Sequence, residues 1–254
     1  AINLKANPMS IRKLLFILFM IFACFDTAIA QCITQRTIEI KTKDYPLVGK
    51  AQYKQTLPLN KKEIVLTFDD GPNPNTTESV LNTLNKFCLK ATFFVVGRMV
   101  ESNSKIFKKI IDNGHSIGNH SYSHPMPFNK LKFVDQYVEI ENGNYAIHTA
   151  GGDISTKLFR FPGLGRTAEA EHHLNSRDIS VWSVDIETKD YIFSHLNPDA
   201  ARKNMIAVME ASLRRNDKGM LLMHDIHKNS ALALDFIIQK LYNDGYSFVH
   251  IKVN

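Results

Sequence analysis

Cysteine is scarce, with three in 254 residues, at positions 24, 32 and 88. No close cysteine pair exists, so a closed, thiolate-ligated structural metal site is excluded. Long apolar runs are equally rare. The longest, over residues 14–25, falls short of the roughly 20 residues that a membrane span requires. A basic stripe interleaved with aromatics is also missing. The formal net charge of +6 comes from scattered lysines and argues for a solvated basic surface, not a nucleic-acid site. There is no internal repeat, linker or low-complexity tract. What is left is an ordinary globular composition, 44% hydrophobic and 22% charged, sufficient for one large domain with a proper core.

The N-terminus reads as a targeting segment. Arg12-Lys13 precedes the apolar stretch 14–25, and Ala28-Ile29-Ala30 offers a small-residue cleavage site before Gln31. Residues 1–30 are therefore expected to be a signal peptide starting at Met9, which implies a secreted or periplasmic protein with no membrane span after cleavage. Gln31 is large and polar where a lipoprotein junction before Cys32 needs a small residue. Cys32 and Cys88 then remain as an even pair in an oxidising compartment. They form either a disulfide or leave Cys88 as a buried thiol at a helix end.

Residues 31–60 read as an N-terminal segment in which Ile38-Glu39-Ile40-Lys41 alternates like a half-exposed strand. The catalytic domain is expected over 61–254. Strands are predicted at 64–68, 91–96, 116–118, 158–161, 179–184, 219–223 and 246–251. Helices are predicted at 76–88, 104–113, 130–148, 168–177, 198–215 and 230–243. Asn75 or Thr76 is the expected cap of the first helix, and Gly114 and Gly245 stand where helix-ending glycines belong. Seven strands alternating with six helices predict a parallel α/β structure. Polar residues gather behind the strands, at Asp69-Asp70, His120, His124, Arg160, Gly163, Asp185, Asp190 and His224-Asp225. Catalytic groups of (β/α) barrels collect on that face, so a barrel is favoured over an open doubly wound sheet.

Each motif has a chemical reading. Asp69-Asp70-Gly71-Pro72 ends the apolar run 64–68 with two adjacent carboxylates, an expensive arrangement unless a cation neutralises it. His120 and His124 are four apart, so one helical turn would put both imidazoles on one face. One of the two aspartates with His120 and His124 makes a three-ligand set that leaves an open position for water, and the other aspartate can accept that water's proton. Arg160-Phe161-Pro162-Gly163 places a cation that can brace a carboxylate by forked hydrogen bonds, and a Gly163 N–H that can face an oxyanion. His224, ending the strand 219–223, is the natural general acid, because its ordinary pKa lies near neutrality. His115, His148, His172, His173, His195 and His250 read as structural or surface groups, and His227 has no assigned role.

Taken together, these motifs resemble the polysaccharide deacetylase family, also called NodB-homology or carbohydrate esterase family 4, from about residue 64 to 253. The resemblance implies a distorted (β/α) barrel, often seven-stranded, and metal-dependent removal of N-acetyl groups from amino-sugar glycans such as peptidoglycan or chitin. It implies Asp69 as base, Asp70, His120 and His124 as ligands of one divalent ion (zinc, with cobalt or nickel as alternatives), and Arg160 as brace of the base. It implies His224 as acid and Leu222 as the wall for the acetyl methyl. Two motifs depart from the family pattern. Gly163-Leu164-Gly165 stands where an aromatic residue and then glycine are usual. Asp190-Tyr191 stands where Asp-Trp is usual, with Asp185 the second candidate for the acid. Other readings on the same scaffold are a deacylase of O-acetyl or lipid-linked sugars, and a non-catalytic glycan-binding relative.

Overall fold

The computed structural model describes residues 32–152, 154 and 156–253. The expected signal peptide lies outside the described residues. Ten strands form a single, wholly parallel sheet: β1 Gln35–Ile40, β2 Leu47–Val48, β3 Glu63–Asp69, β4 Thr92–Val95, β5 Ser116–Asn119, β6 Leu158–Phe159, β7 Ser180–Trp182, β8 Ile186–Glu187, β9 Gly219–His224 and β10 Ser247–Val253. Seven α-helices are described: α1 Thr76–Lys86, α2 Gly97–Ser102, α3 Ser104–Asp112, α4 Phe133–Gly151, α5 Ala168–Ser176, α6 Pro198–Leu213 and α7 Lys228–Asn243.

All seven expected strands are present, and β1, β2 and β8 bring the number to ten. β3 is buried along its whole length, as befits an apolar run covered on both faces. One of its edges pairs with β9 from Ile64 to Asp69. The other edge is shared. It pairs with β10 at Glu63 and Ile64, then with β4 from Thr67 to Asp69. β10 is thus a wedge at the N-terminal ends of β3 and β4. The sheet continues β4-β5-β6-β7-β2 on one side and β9-β8 on the other, and β7 and β8 are not paired to each other. This makes the barrel irregular.

The N-terminal segment expected over 31–60 is woven into this sheet. β1 pairs with β10 from Gln35↔Phe248 to Ile40↔Val253, and β2 pairs with β7. Cys32 and Cys88 are disulfide-bonded, next to the Ile33 N–H that donates to Phe87 O at 2.9 Å. The helices bury one stripe each, for example Ala231, Leu234, Ile237, Ile238 and Leu241 of α7.

Some boundaries differ from expectation. The helix expected from 130 starts at Phe133, after a separate 3₁₀ turn at Phe128–Lys130. The first helix ends at Lys86, and Cys88 is left-handed at φ 58°. Neither Asn75 nor Thr76 caps α1 through its side chain. Asn73 Oδ1 instead accepts from the N–H groups of both, at 3.0 and 3.4 Å. Gly114 and Gly245 are left-handed after their helices, as expected.

Reducing the disulfide, or replacing Cys88 with serine, is expected to lower unfolding free energy by about 2–4 kcal/mol, because the bridge restricts a long loop of the unfolded chain. Chemical denaturation with and without reductant measures this. An unchanged midpoint would contradict it.

Candidate active site

The β-strand tips bring the predicted site residues together. Asp69 is the last residue of β3, and its register neighbours are Phe94 on β4 and His224 on β9. Asp70 follows in a left-handed conformation, φ 79°. His120 follows β5, anchored by its N–H to Val95 O at 2.9 Å. Arg160 follows β6, with its N–H on Asn119 O at 3.0 Å.

His120 and His124 converge by a different route from the one expected. Residues 120–124 are not helical, and Ser121 and His124 are both left-handed, at φ 66° and 56°. The loop is pinned by Ser121 Oγ, which accepts from His124 N–H at 3.0 Å. It is pinned again by Glu139 of α4, whose carboxylate accepts from the N–H groups of Tyr122 and Ser123 at 3.1 and 2.7 Å and from Ser123 Oγ at 2.6 Å.

Asp70, His120 and His124 offer ligand atoms that all lie within 4.8 Å of one another. The hydrogen bonding shows that this cluster fits a cation. His120 Nδ1 lies 2.7 Å from Arg160 O, so Nδ1 carries the proton and Nε2 presents a lone pair. That lone pair is 3.4 Å from Asp70 Oδ1, and His124 Nε2 is 3.2 Å from the same oxygen. Asp70 Oδ1 is buried without a hydrogen-bond partner. Burial, then the proximity of His120, hold the His124 pKa below its ordinary value, so its imidazole is neutral. Burial opposes the charge on Asp70, but the neighbouring imidazoles outweigh it and keep the carboxylate ionised. A buried carboxylate oxygen without a hydrogen-bond partner, flanked by two imidazole Nε2 atoms, is a donor set that suits a divalent cation.

Asp69 is held from behind. Arg160, fully buried, donates Nη1–H to Asp69 Oδ1 at 2.6 Å and to Thr67 Oγ1 at 2.9 Å. Its Nε and Nη2 donate to the carbonyls of Trp182 and Ser183, and its guanidinium lies 4.1 Å over the Phe94 ring. Asp69 Oδ2 faces His120 Nε2 at 3.7 Å.

Asp190, not Asp185, is the carboxylate bonded to His224. Its Oδ1 accepts from His224 Nδ1 at 2.7 Å, and its Oδ2 accepts from His224 N–H and Ser230 Oγ at 2.7 and 2.6 Å. Asp185 accepts from the N–H groups of Lys50 and Met220, outside the cluster. Burial works against a charged His224, but the bond to Asp190 overrides it and pushes the pKa up to about 9. The pair contributes stability fully below the ordinary histidine pKa and loses it as pH rises through about 9.

A cavity of about 380 Å³ opens onto Asp69, Asp70, His120, His124 and His224, with Gly163, Leu222 and Tyr191 on its walls. Arg160 and Asp190 stand behind it. Tyr191 meets the His224 ring edge-on, centroids 5.5 Å apart. Met126, Phe161, Leu164 and Glu187 also line the cavity without having been expected there. Met126 lies against Gly163, where an added β-carbon would sit 2.7 Å from its Sδ, so the wall's missing aromatic is partly replaced by a thioether. Glu139 carries no metal- or acid-type spacing that would reveal it in sequence, and Asp225 is visible there only as a polar residue behind a strand. His227 heads α7 with its ring 5.9 Å from that of His224. His115 and His250 are buried and neutral, their pKa values lowered chiefly by burial.

The sequence profile described as polysaccharide deacetylase matches residues 56–182. A Bacillus cereus peptidoglycan-N-acetylglucosamine deacetylase is 42% identical over 211 residues, covering 80% of this chain and 71% of that protein. The chain belongs to the polysaccharide deacetylase family. A Listeria monocytogenes peptidoglycan-N-acetylglucosamine deacetylase is 34% identical over 223 residues, 88% of this chain, but the chain spans only 43% of that relative's length. A solved peptidoglycan deacetylase from Bdellovibrio bacteriovorus aligns with a TM-score of 0.76 at 25% identity, over 88% of this chain and 60% of that one. The fold is accordingly the distorted (β/α) barrel of these family members.

In metal-free protein, the His224 imidazole is expected to titrate near pH 9. In Asp190→Asn the largest raising contribution is lost and the value is expected to fall well below 9. Imidazole NMR titration of both proteins decides the point, and an unshifted His224 in the variant would refute the pairing.

Proposed function

We propose that this chain is a secreted or periplasmic, metal-dependent deacetylase that hydrolyses N-acetyl groups of amino-sugar glycans of the peptidoglycan or chitin type. One observation carries the reading. A proton acceptor, a cation-seeking lone-pair cluster and a protonated imidazole share one cavity, with Asp69 and His224 as register partners on adjacent strands. The family supports it, as do relatives that are peptidoglycan deacetylases and a disulfide of the kind kept in oxidising compartments. Among the described residues, no helix is long and apolar enough to cross a membrane.

Asp70, His120 and His124 would hold the ion. When bound, a divalent cation supplies Lewis acidity to the acetyl carbonyl and acidifies water beside it. Zinc suits this donor set, as do cobalt and nickel. Asp69 takes the proton of the attacking water through the oxygen that Arg160 leaves free. Arg160 fixes the carboxylate's orientation. The Gly163 N–H is the protein's donor for the developing oxyanion. His224, carrying protons on both nitrogens, gives the Nε2 proton to the departing amine while Asp190 retains the Nδ1 proton. Leu222 and Tyr191 wall the acyl and sugar sides. An amide nitrogen leaves poorly without a proton, whereas an ester oxygen needs less help. An imidazole held protonated well above neutrality therefore favours N-acetyl over O-acetyl substrates.

Asp69→Asn and His224→Ala are each expected to keep metal and lose about 10²–10⁴-fold in kcat. Asp70→Ala is expected to lose metal and turnover together. Acetate release from N-acetylglucosamine peptidoglycan fragments, chitooligosaccharide and acetyl-xylan, with and without chelator, is the assay. Full activity of Asp69→Asn would remove the assigned base. Preference for acetyl-xylan would move the enzyme to O-acetyl chemistry.

A second expected outcome concerns the ion itself. Chelation should abolish acetate release, and added Zn²⁺ or Co²⁺ should restore it. Turnover indifferent to chelator would overturn metal dependence.

A further inference from the structure

Asp70 bears a side chain yet sits at φ 79°, a conformation that persists only where neighbours over-determine it. Its own N–H reaches Phe94 O at 3.2 Å. The peptides on either side of it are held by one residue. Asp225, wholly buried at the end of β9, donates its N–H to Asp69 O at 3.3 Å. Its Oδ1 accepts from Gly71 N–H at 3.0 Å. Its Oδ2 accepts from the hydroxyl of Thr77, in the first turn of α1, and Thr77 Oγ1 in turn accepts from Asn73 N–H at 2.7 Å. Gly71 must be glycine for this grip, because a β-carbon there would enter the Asp225 carboxylate.

We infer that Asp225 is a positioning residue of the ion site: by binding the peptides flanking Asp70 and the first turn of α1, it aims Asp70 Oδ1 at His120 and His124. The inference rests on the proposed reading of those three residues as ligands. Asp225 is also the residue after His224, so the ligand loop and the strand carrying the acid meet at one joint. No cationic side chain pairs with Asp225 among the described residues. A carboxylate buried under those conditions is a poor choice for packing alone. Groups that orient a ligand without touching the ion commonly change metal affinity about 10–100-fold when removed.

The test uses the full chain stripped by chelator and titrated with Co²⁺, read by visible absorption and calorimetry, alongside the thermal midpoint of the metal-free protein. Asp225→Ala is expected to weaken Co²⁺ binding about 10–100-fold. Thr77→Val, which leaves the Gly71 bond, should weaken it several-fold, up to about 10-fold, and Asp225→Asn, which keeps an acceptor for Gly71, should recover much but not all of the loss. A merely structural role would lower the metal-free midpoint and leave Co²⁺ affinity at low temperature unchanged. Wild-type affinity in folded Asp225→Ala would therefore overturn the inference. If that variant does not fold, wild-type affinity in both Thr77→Val and Asp225→Asn overturns it instead. Equal Co²⁺ affinity in wild type and Asp70→Ala would overturn the ligand reading itself, and the inference with it.

Discussion

The site is organised around one buried guanidinium. Arg160 has no exposure to solvent, and a lone charge there would be strongly unfavourable. It is tolerated because its donors reach Asp69, Thr67 and the carbonyls of Trp182 and Ser183, with Phe94 beneath it. The same residue's carbonyl oxygen selects the His120 tautomer. A single position thus orients Asp69 with its side chain and His120 with its main chain. Lysine could keep the charge but not the planar fork that reaches β3 and the end of β7 together.

The second organising constraint is the pairing of β3 with β9. Because Asp69 and His224 are register partners, the proposed base and the proposed acid are separated by an inter-strand spacing that packing cannot easily alter. Asp190 approaches from the 3₁₀ turn after β8 and gives His224 both its ring orientation and its charge. The cation-seeking cluster lies on the opposite side of Asp69, where loops, not strands, supply the donors. That division places Asp69 and His224 on strands, and Asp70, His120 and His124 on loops tied by Glu139 and Asp225.

Much of this was legible in the sequence. Asp69-Asp70, the paired histidines, Arg160 and His224 were readable because they close apolar runs at strand ends, and the seven principal strands followed from those runs. Asp190 was separable from Asp185 only by the family pattern, since both are acids after a short strand. The helical reading of 120–124 failed because spacing alone does not encode the left-handed Ser121 and His124. Met126 was silent, since its place on the wall follows from the absence of a side chain at Gly163. β8 is two residues long and carries no periodicity to detect.

The wedge at the base of the barrel bears on how the molecule is made. β1 finds its partner in β10, so residues 35–40 bond to residues 248–253, nearly the full chain away. Until the last stretch emerges from the ribosome, the first strand is an unpaired edge and β3 is missing its lower neighbour. Contacts so distant along the chain form slowly. The barrel is therefore closed only when two strands more than two hundred residues apart in the chain have met, so its first strand waits on one of its last.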